Sequence, residues 1–418
     1  MSYATSISGT NKVWKKIQGA SAEVLPVLSQ EFAMLEEHTE QEKTPYSARE
    51  VLIPLDINDG YGTASILPGD WEALPSTPNM EELTIDIITL NKRFDAPLLE
   101  QWSDKAEAQI KRVLKYKATK GLRAMAREFS DQFYGTSVGT VALTDTDVSG
   151  TTATLTLHSG YGQSTISNAA FLASKFKVGE TIALVNGSTL VTNGIGTITA
   201  VTPATPSIGV TFVGSVTVSD NNLKIVKAAS QGHTEETPAL AHTQYNKALV
   251  GLVDITRTAS VHGVSSSSIP DWSVAYADTS GGAFDGVRLR AGEDEMEEWD
   301  GKIEILVIDK AVYRDWYRTE RSILRHDDPV NMETDGNIKS GKRKIVKTRR
   351  AIPAEATGFK KSALRRWSLL PKPDSDFSWA EGMKREDRSA LVFSMNMPVA
   401  LICRNRKHFA YWTGLDRS

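Results

Sequence analysis

The densest run of chemically capable side chains is KSGKRKIVKTRR at 339–350, where Lys339, Lys342, Arg343, Lys344, Lys347, Arg349 and Arg350 place seven cations in twelve positions. Such a run can meet phosphate, and alternation about Ile345 and Val346 lets the charges flank a strand. It can equally pair, within a chain or between chains, with the acidic stretch Glu293, Asp294, Glu295, Glu297, Glu298 and Asp300, or remain plain solvated surface. No motif for reading a base sequence accompanies it.

Other constellations carry less chemistry. Gly336, Gly341 and Lys342 approach phosphate-loop spacing, but Arg343 stands where a hydroxyl would have to hold magnesium, so a basic turn is the better reading. The seven histidines are scattered without an H-E-x-x-H pair. His326, Asp327 and Asp328 have the types to hold a cation or exchange protons, yet read more simply as a polar loop before Pro329. Cys403 lies in the apolar run VALICR, where burial is expected. No G-x-S-x-G elbow occurs, and the acidic stretch lacks the ordered ligands of a calcium loop. The sequence therefore assigns no catalytic, cofactor or metal residue, and the expectation is a protein that is not an enzyme and has no cofactor.

Composition narrows the classes further. The 418 residues carry a formal charge of -3, so any strong field must be local. A single cysteine excludes a disulfide scaffold and a thiolate zinc cluster. No window approaches the length of a membrane-spanning apolar run and no early segment reads as a signal peptide, so a soluble intracellular chain without membrane association is expected.

The elements that must position these groups follow from periodicity. Residues 137–232 hold only eight charged side chains in 96 positions, and their β-branched alternation is broken by turn residues such as Asn186-Gly187 and Asn193-Gly194, with Pro203 and Pro206 in a loop. That pattern predicts an independently packed, inserted all-β sandwich or barrel. Residues 96–134 predict one long helix, with Leu98, Trp102, Ala106, Ile110, Leu114, Leu122, Met125, Phe129 and Phe133 on one stripe and Gly121 as a bend or weak point. The stretch 46–80 reads as a long projecting hairpin that needs something to bury against, in its own chain or a neighbour. Ile303–Ile308 predicts a buried strand, and Asp309 the cap of a following helix. Strand-rich stretches at 337–352 and 389–412 complete an α+β body that lacks a repeating βαβ order.

The run VLIPLDINDGYGTASILPGDWEALPSTPNMEELTIDIITLNKRFDAPLLEQWS, with the arm before it and the α+β remainder after it, resembles the tailed-bacteriophage major capsid proteins over nearly the whole chain. The resemblance implies an N-terminal arm at 1–45, an extended loop at 46–80, and a peripheral strand with a spine helix at 81–136. The β insert at 137–232 is followed by a peripheral return and axial domain at 233–395 and a C-terminal peripheral strand region at 396–418. It also implies self-assembly as pentamers and hexamers into a closed shell enclosing double-stranded DNA in a virion assembled in the host cytoplasm. A separate scaffolding protein, a portal and decoration proteins are its implied partners. On the extended loop, Ile66, Leu67 and Trp71 are the candidate apolar intersubunit contacts, with Arg49, Glu50, Asp70 and Glu72 fixing placement. No Lys and Asn set for covalent cross-linking can be assigned. A rival reading is a phage surface-decoration or carbohydrate-binding protein whose 137–232 domain supplies the ligand face.

Overall fold

The computed structural model describes residues 29–37, 44–45, 50–58, 79–97, 106–162, 166, 169–219, 222–228, 243–324, 343–368, 378–384 and 390–417. The first element among the described residues is a five-residue helix, α1 (Gln30–Met34), opened by Ser29, whose Oγ accepts from the Phe32 N–H at 3.1 Å. It is docked on the body, with Phe32, Met34 and Leu35 buried. After β1 (Glu36–Glu37) and β2 (Thr44–Pro45), the strands β3 (Glu50–Asn58) and β4 (Asn79–Asp86) pair antiparallel from Glu50↔Asp86 to Asn58↔Asn79. Ile53, Leu83 and Ile85 are buried along that pair, which fixes the base of the hairpin to the body.

β5 (Ile88–Pro97) is followed by the long helix α2 (Ala106–Phe133), 28 residues, or about 42 Å. The helix expected over 96–134 is therefore shorter at its start: Ala96 and Pro97 finish a strand, because sheet pairing of that segment overrides its helical spacing. Leu122, Met125, Phe129 and Phe133 are buried along one stripe, as their spacing predicts. Gly121 lies inside the unbroken helix, and a β-carbon there would stand 2.6 Å from the Met395 Cε. The glycine admits a close crossing of helix and sheet, a role its isolated position in the sequence does not disclose.

Six strands then close a barrel: β6 (Thr140–Thr144), β7 (Val148–Ser159), β8 (Thr181–Asn186), β9 (Thr189–Thr202), β10 (Ser207–Val218) and β11 (Leu223–Lys227), in the spatial order β10-β7-β6-β11-β8-β9. A short helix, α3 (Ala169–Ala173), lies between β7 and β8. Alternation does what the sequence suggests, since Ile208, Val210 and Phe212 are buried and Thr211 between them is exposed. Gly187 takes the left-handed backbone of a tight turn, with φ 58°. Asn193-Gly194 does not turn the chain: it sits within β9, where Asn193 at φ 56° donates through its side-chain amide to the Ser215 carbonyl at 3.0 Å.

The barrel is not packed independently. A single apolar cluster runs from its Leu157, Leu172 and Phe176 through Phe129 and Phe133 of α2 to Phe393 and Met395, so barrel and body share one core. The barrel also holds a smaller apolar cluster of its own, Ala183, Val185, Ile195 and Val226 with Tyr245.

The remaining chain builds two sheets. α4 (Leu252–Arg257), the small pair β12 (Ser260–Val261) and β13 (Val264–Ser265), and β14 (Tyr276–Asp278) lead to α5 (Gly286–Glu297), where the Asp285 Oδ1 accepts from the Arg288 N–H at 2.9 Å. β15 (Ile305–Asp309) is fully buried and runs into α6 (Lys310–Leu324), with the Asp309 Oδ1 accepting from the Ala311 N–H at 3.4 Å, so Asp309 takes the expected capping position. With β16 (Lys344–Thr348), β17 (Ala356–Phe359), β18 (Leu364–Ser368), β19 (Ser378–Lys384), β20 (Ala390–Cys403) and β21 (Phe409–Trp412), the sheets have the orders β14-β21-β17-β15-β16 and β1-β18-β20-β19, β5 pairing with β20 in the second. The boundary expected between 395 and 396 falls inside β20, which pairs continuously with β5 from Ala390 to Val399. A mixed α+β architecture results, as the element pattern predicts.

Candidate functional site

The seven cations of the 339–350 run do not form one patch. Lys339 and Lys342 lie outside the described residues. β16 is an edge strand parallel to β15, so its flanking charges leave in several directions. Arg343 pairs with Glu293 of α5, which realises the intramolecular pairing with the acidic stretch. Lys344 is exposed, and the Lys347 ammonium stands 4.6 Å over the Tyr313 ring. Arg349 is exposed, whereas Arg350 turns inward to Asp131 at 3.0 Å and to the Arg127 carbonyl at 3.0 Å. The rest of the acidic stretch is a solvated face: Asp294, Glu295, Glu297, Glu298 and Asp300 are all exposed on and just after α5.

Of the candidate loop contacts, Arg49, Ile66, Leu67, Asp70, Trp71 and Glu72 lie outside the described residues, as do His326, Asp327, Asp328, Gly336 and Gly341. Glu50 opens β3, opposite Asp86.

A buried charge junction that sequence reading missed ties the barrel to α2. Asp131 accepts from the Lys175 ammonium at 2.9 Å, their side chains being 7% and 4% exposed, while Lys227 reaches Glu128 and lies 4.0 Å from the second Asp131 oxygen. Gln132 and Gln244 donate to the Glu128 Oε1 at 3.0 and 3.2 Å. Burial lowers the Lys175 pKa below the usual lysine value, against the attraction of Asp131. Burial works the same way on Lys227, but Glu128 and then Asp131 outweigh it and hold its ammonium above the usual value. Lys175, Lys227 and Arg350 meeting Asp131 and Glu128 fix the orientation of the four segments they come from.

Two further polar knots are structural. Glu31 accepts from Ser130 at 2.9 Å and Tyr134 at 3.1 Å, holding α1 on α2, and burial and then the Glu31 charge push the Tyr134 phenol well above its usual range. The Arg406 guanidinium donates to the carbonyls of Ile255 at 2.8 Å, Trp272 at 3.0 Å and Thr258 at 2.8 Å. Cys403 is buried, its backbone N–H donating to the His262 Nε2 at 3.2 Å. Burial pushes the thiol up to about 12 and the imidazole down to about 4, so both are neutral at pH 7 and neither is poised as a nucleophile or acid. Among the described residues, no group of three or more His, Cys, Asp or Glu side chains could hold a metal ion, and no helix is long and apolar enough to cross a membrane.

The chain superposes on a chain of the cyanophage A-1(L) capsid asymmetric unit with a TM-score of 0.51 at 9% sequence identity, covering 92% of each chain. The fold is that of a phage capsid chain. Weaker likenesses to chains of Mycobacterium phage Bobi, TM-score 0.42 at 8% identity over 93% and 91% of the two chains, and of the capsid of a native GTA particle, TM-score 0.40 at 12% identity over 88% and 86%, accompany it. No protein-family model and no curated protein matches the sequence. Within this fold the buried junctions hold the described elements together, and the acidic end of α5 and the cations Lys344, Lys347 and Arg349 stay exposed.

Proposed function

We propose that this chain is the major capsid protein of a tailed phage, a structural protein whose copies close into the shell around a double-stranded DNA genome. The observation that carries the reading is the likeness to a capsid chain over 92% of both chains. A decoration or carbohydrate-binding module would have reason to share only a part, such as the barrel. In this reading residues 1–45 serve as an arm and 46–80 as an extended loop over a neighbouring subunit, through Arg49, Glu50, Ile66, Leu67, Asp70, Trp71 and Glu72. α2 acts as the spine, and the barrel is an addition to the peripheral region. Pentamers and hexamers form in the host cytoplasm with a separate scaffolding protein and a portal, decoration proteins can join the outer surface, and catalytic turnover has no part in the role. Many modest contacts suit such a shell, because closure makes the loss of one contact cooperative with the loss of others.

The test is to express the full chain, with and without the other head proteins of its source, and combine electron microscopy with particle mass measurement. Closed particles of many copies are expected. A chain that remains monomeric under all assembly conditions would overturn the reading.

A further inference from the structure

We propose that the acidic end of α5 in one copy docks in a basic groove at the start of α6 in the next copy, a contact that rests on the shell reading above. The groove, about 590 Å3, is lined by five cations, Lys310, Arg314, Lys347, Arg349 and Arg417, against one carboxylate, Asp309. That carboxylate is already engaged by the Arg417 Nε at 2.7 Å and the Ala354 N–H at 3.3 Å. Lys310, Arg314, Lys347 and Arg349 are all exposed. Phe171, Tyr313 and Tyr317 supply an aromatic wall.

The complementary surface is the exposed set Asp294, Glu295, Glu297, Glu298 and Asp300, with Trp299 in its midst, 42% exposed. An aromatic ring inside a charged rim is the make-up of an interface anchor. Glu293 is excluded from the contact, being held by Arg343.

Helix electrostatics add an argument at the end of α5. The last turn of α5 contains no basic residue, and its acids carry the sign the macrodipole disfavours, whereas at the start of α6 the Asp309 cap carries the favoured sign and Lys310 the disfavoured one. The end of α5 is thus charged against its own stability, and an opposite partner offsets that cost. Within the chain, Lys407 stands 4.5 Å over the Trp299 ring and Lys360 donates to the Asp300 carbonyl at 2.8 Å, while the side chains of Asp294, Glu295, Glu297 and Glu298 stay exposed. Arg343 meets the α5 side and Arg349 lines the groove, and the extended strand between them separates the two by about 20 Å. Two different patches meeting make a heterologous contact, which closes into a ring when its rotation divides a full turn. Capsomers of one chain require that kind of contact.

The experiment compares four full-length chains: wild type, an acid reversal (Asp294→Lys, Glu295→Lys, Glu298→Lys), a groove reversal (Lys310→Glu, Arg314→Glu, Arg349→Glu) and the chain carrying all six. Lysine at the end of α5 and glutamate at the start of α6 agree with the helix dipoles, so the variants keep their fold, which near-UV circular dichroism checks. Each single-sided reversal is expected to raise the protein concentration needed for particle formation by about tenfold, and the six-fold reversal to restore it. Folded single-sided reversals that assemble like wild type overturn the contact and leave the shell reading standing, as does a folded six-fold reversal that fails to recover. A groove reversal that assembles normally but loses retained nucleic acid also overturns it, and assigns the groove to phosphate instead. A wild-type chain that never assembles overturns the shell reading itself, and the contact with it.

Discussion

Asp131 accepts from Lys175 and Arg350 through the same oxygen, and its second oxygen faces Lys227 at 4.0 Å. Removing that carboxylate leaves the Lys175 ammonium buried without its counter-charge, while Arg350 keeps the Arg127 carbonyl and Lys227 keeps Glu128. Asp131→Asn is therefore expected to lower unfolding stability by about 3–5 kcal/mol, the range for breaking a buried pair from one side; a urea midpoint shift worth less than about 1 kcal/mol would rule out the junction as a clamp. His262 gives a prediction in pH. Burial holds its folded pKa at about 4, against the ordinary imidazole value of 6.5. As pH falls, the unfolded chain takes up the proton first, so this residue's contribution is intact above pH 6.5, declines between pH 6.5 and 4, and levels off below. The loss from this residue is about 3 kcal/mol. His262→Gln, which keeps an acceptor for the Cys403 N–H but does not titrate, should flatten that part of the stability profile. An unchanged slope would mean that other groups set it.

Among the elements, the end of α2 is a tight joint. A β-carbon on Gly251, the residue before α4, would stand 2.3 Å from the Gly135 carbonyl oxygen and 2.6 Å from that of Gln132, both backbone atoms that cannot step aside. Gly121 in the middle of α2 meets the far end of the Met395 side chain at 2.6 Å, which can rotate away. Gly251→Ala is expected to cost about 1–3 kcal/mol as overpacking against fixed backbone. Gly121→Ala should be nearly neutral, because about 1 kcal/mol of helix propensity offsets the displaced methionine. Thermal unfolding of the two variants side by side checks the order, and equal losses would contradict this reading of the joint.

At the scale of the molecule, the shared apolar cluster and the Asp131 junction lead to the expectation that barrel and body unfold as one cooperative unit. Calorimetry of the unassembled chain should show the barrel and the body melting in one transition, with Asp131→Asn drawing the two apart. Two separate transitions in the wild type would mean that the barrel folds as its own domain. A rigidly joined barrel also suits the proposed shell, since a protomer with one fixed shape presents its hairpin and charged faces at constant angles.

What the sequence by itself determined is what local pattern can carry. The charge-poor, alternating window at 137–232 specified an all-β unit, because period-2 burial requires nothing beyond neighbouring residues. The stripe from Leu122 to Phe133 specified a helix, and Asp309 its cap. The α+β class and the burial of Cys403 were legible for the same reason. Only the tertiary structure decided which distant residues meet. Asp131 finds Lys175 44 positions away and Arg350 219 positions away, and nothing in the spacing of a helix announces such partners. The basic run reads as one patch in sequence, but pairing of β16 at a sheet edge sends Arg343 to α5, Arg350 to the core and Lys347 and Arg349 to the groove. Asn193-Gly194 reads as a turn, yet it becomes an irregularity inside β9, and Ala96 and Pro97 leave the helical stripe for β5. In each case a long-range ladder or a buried charge outweighed a local preference of about 1 kcal/mol or less.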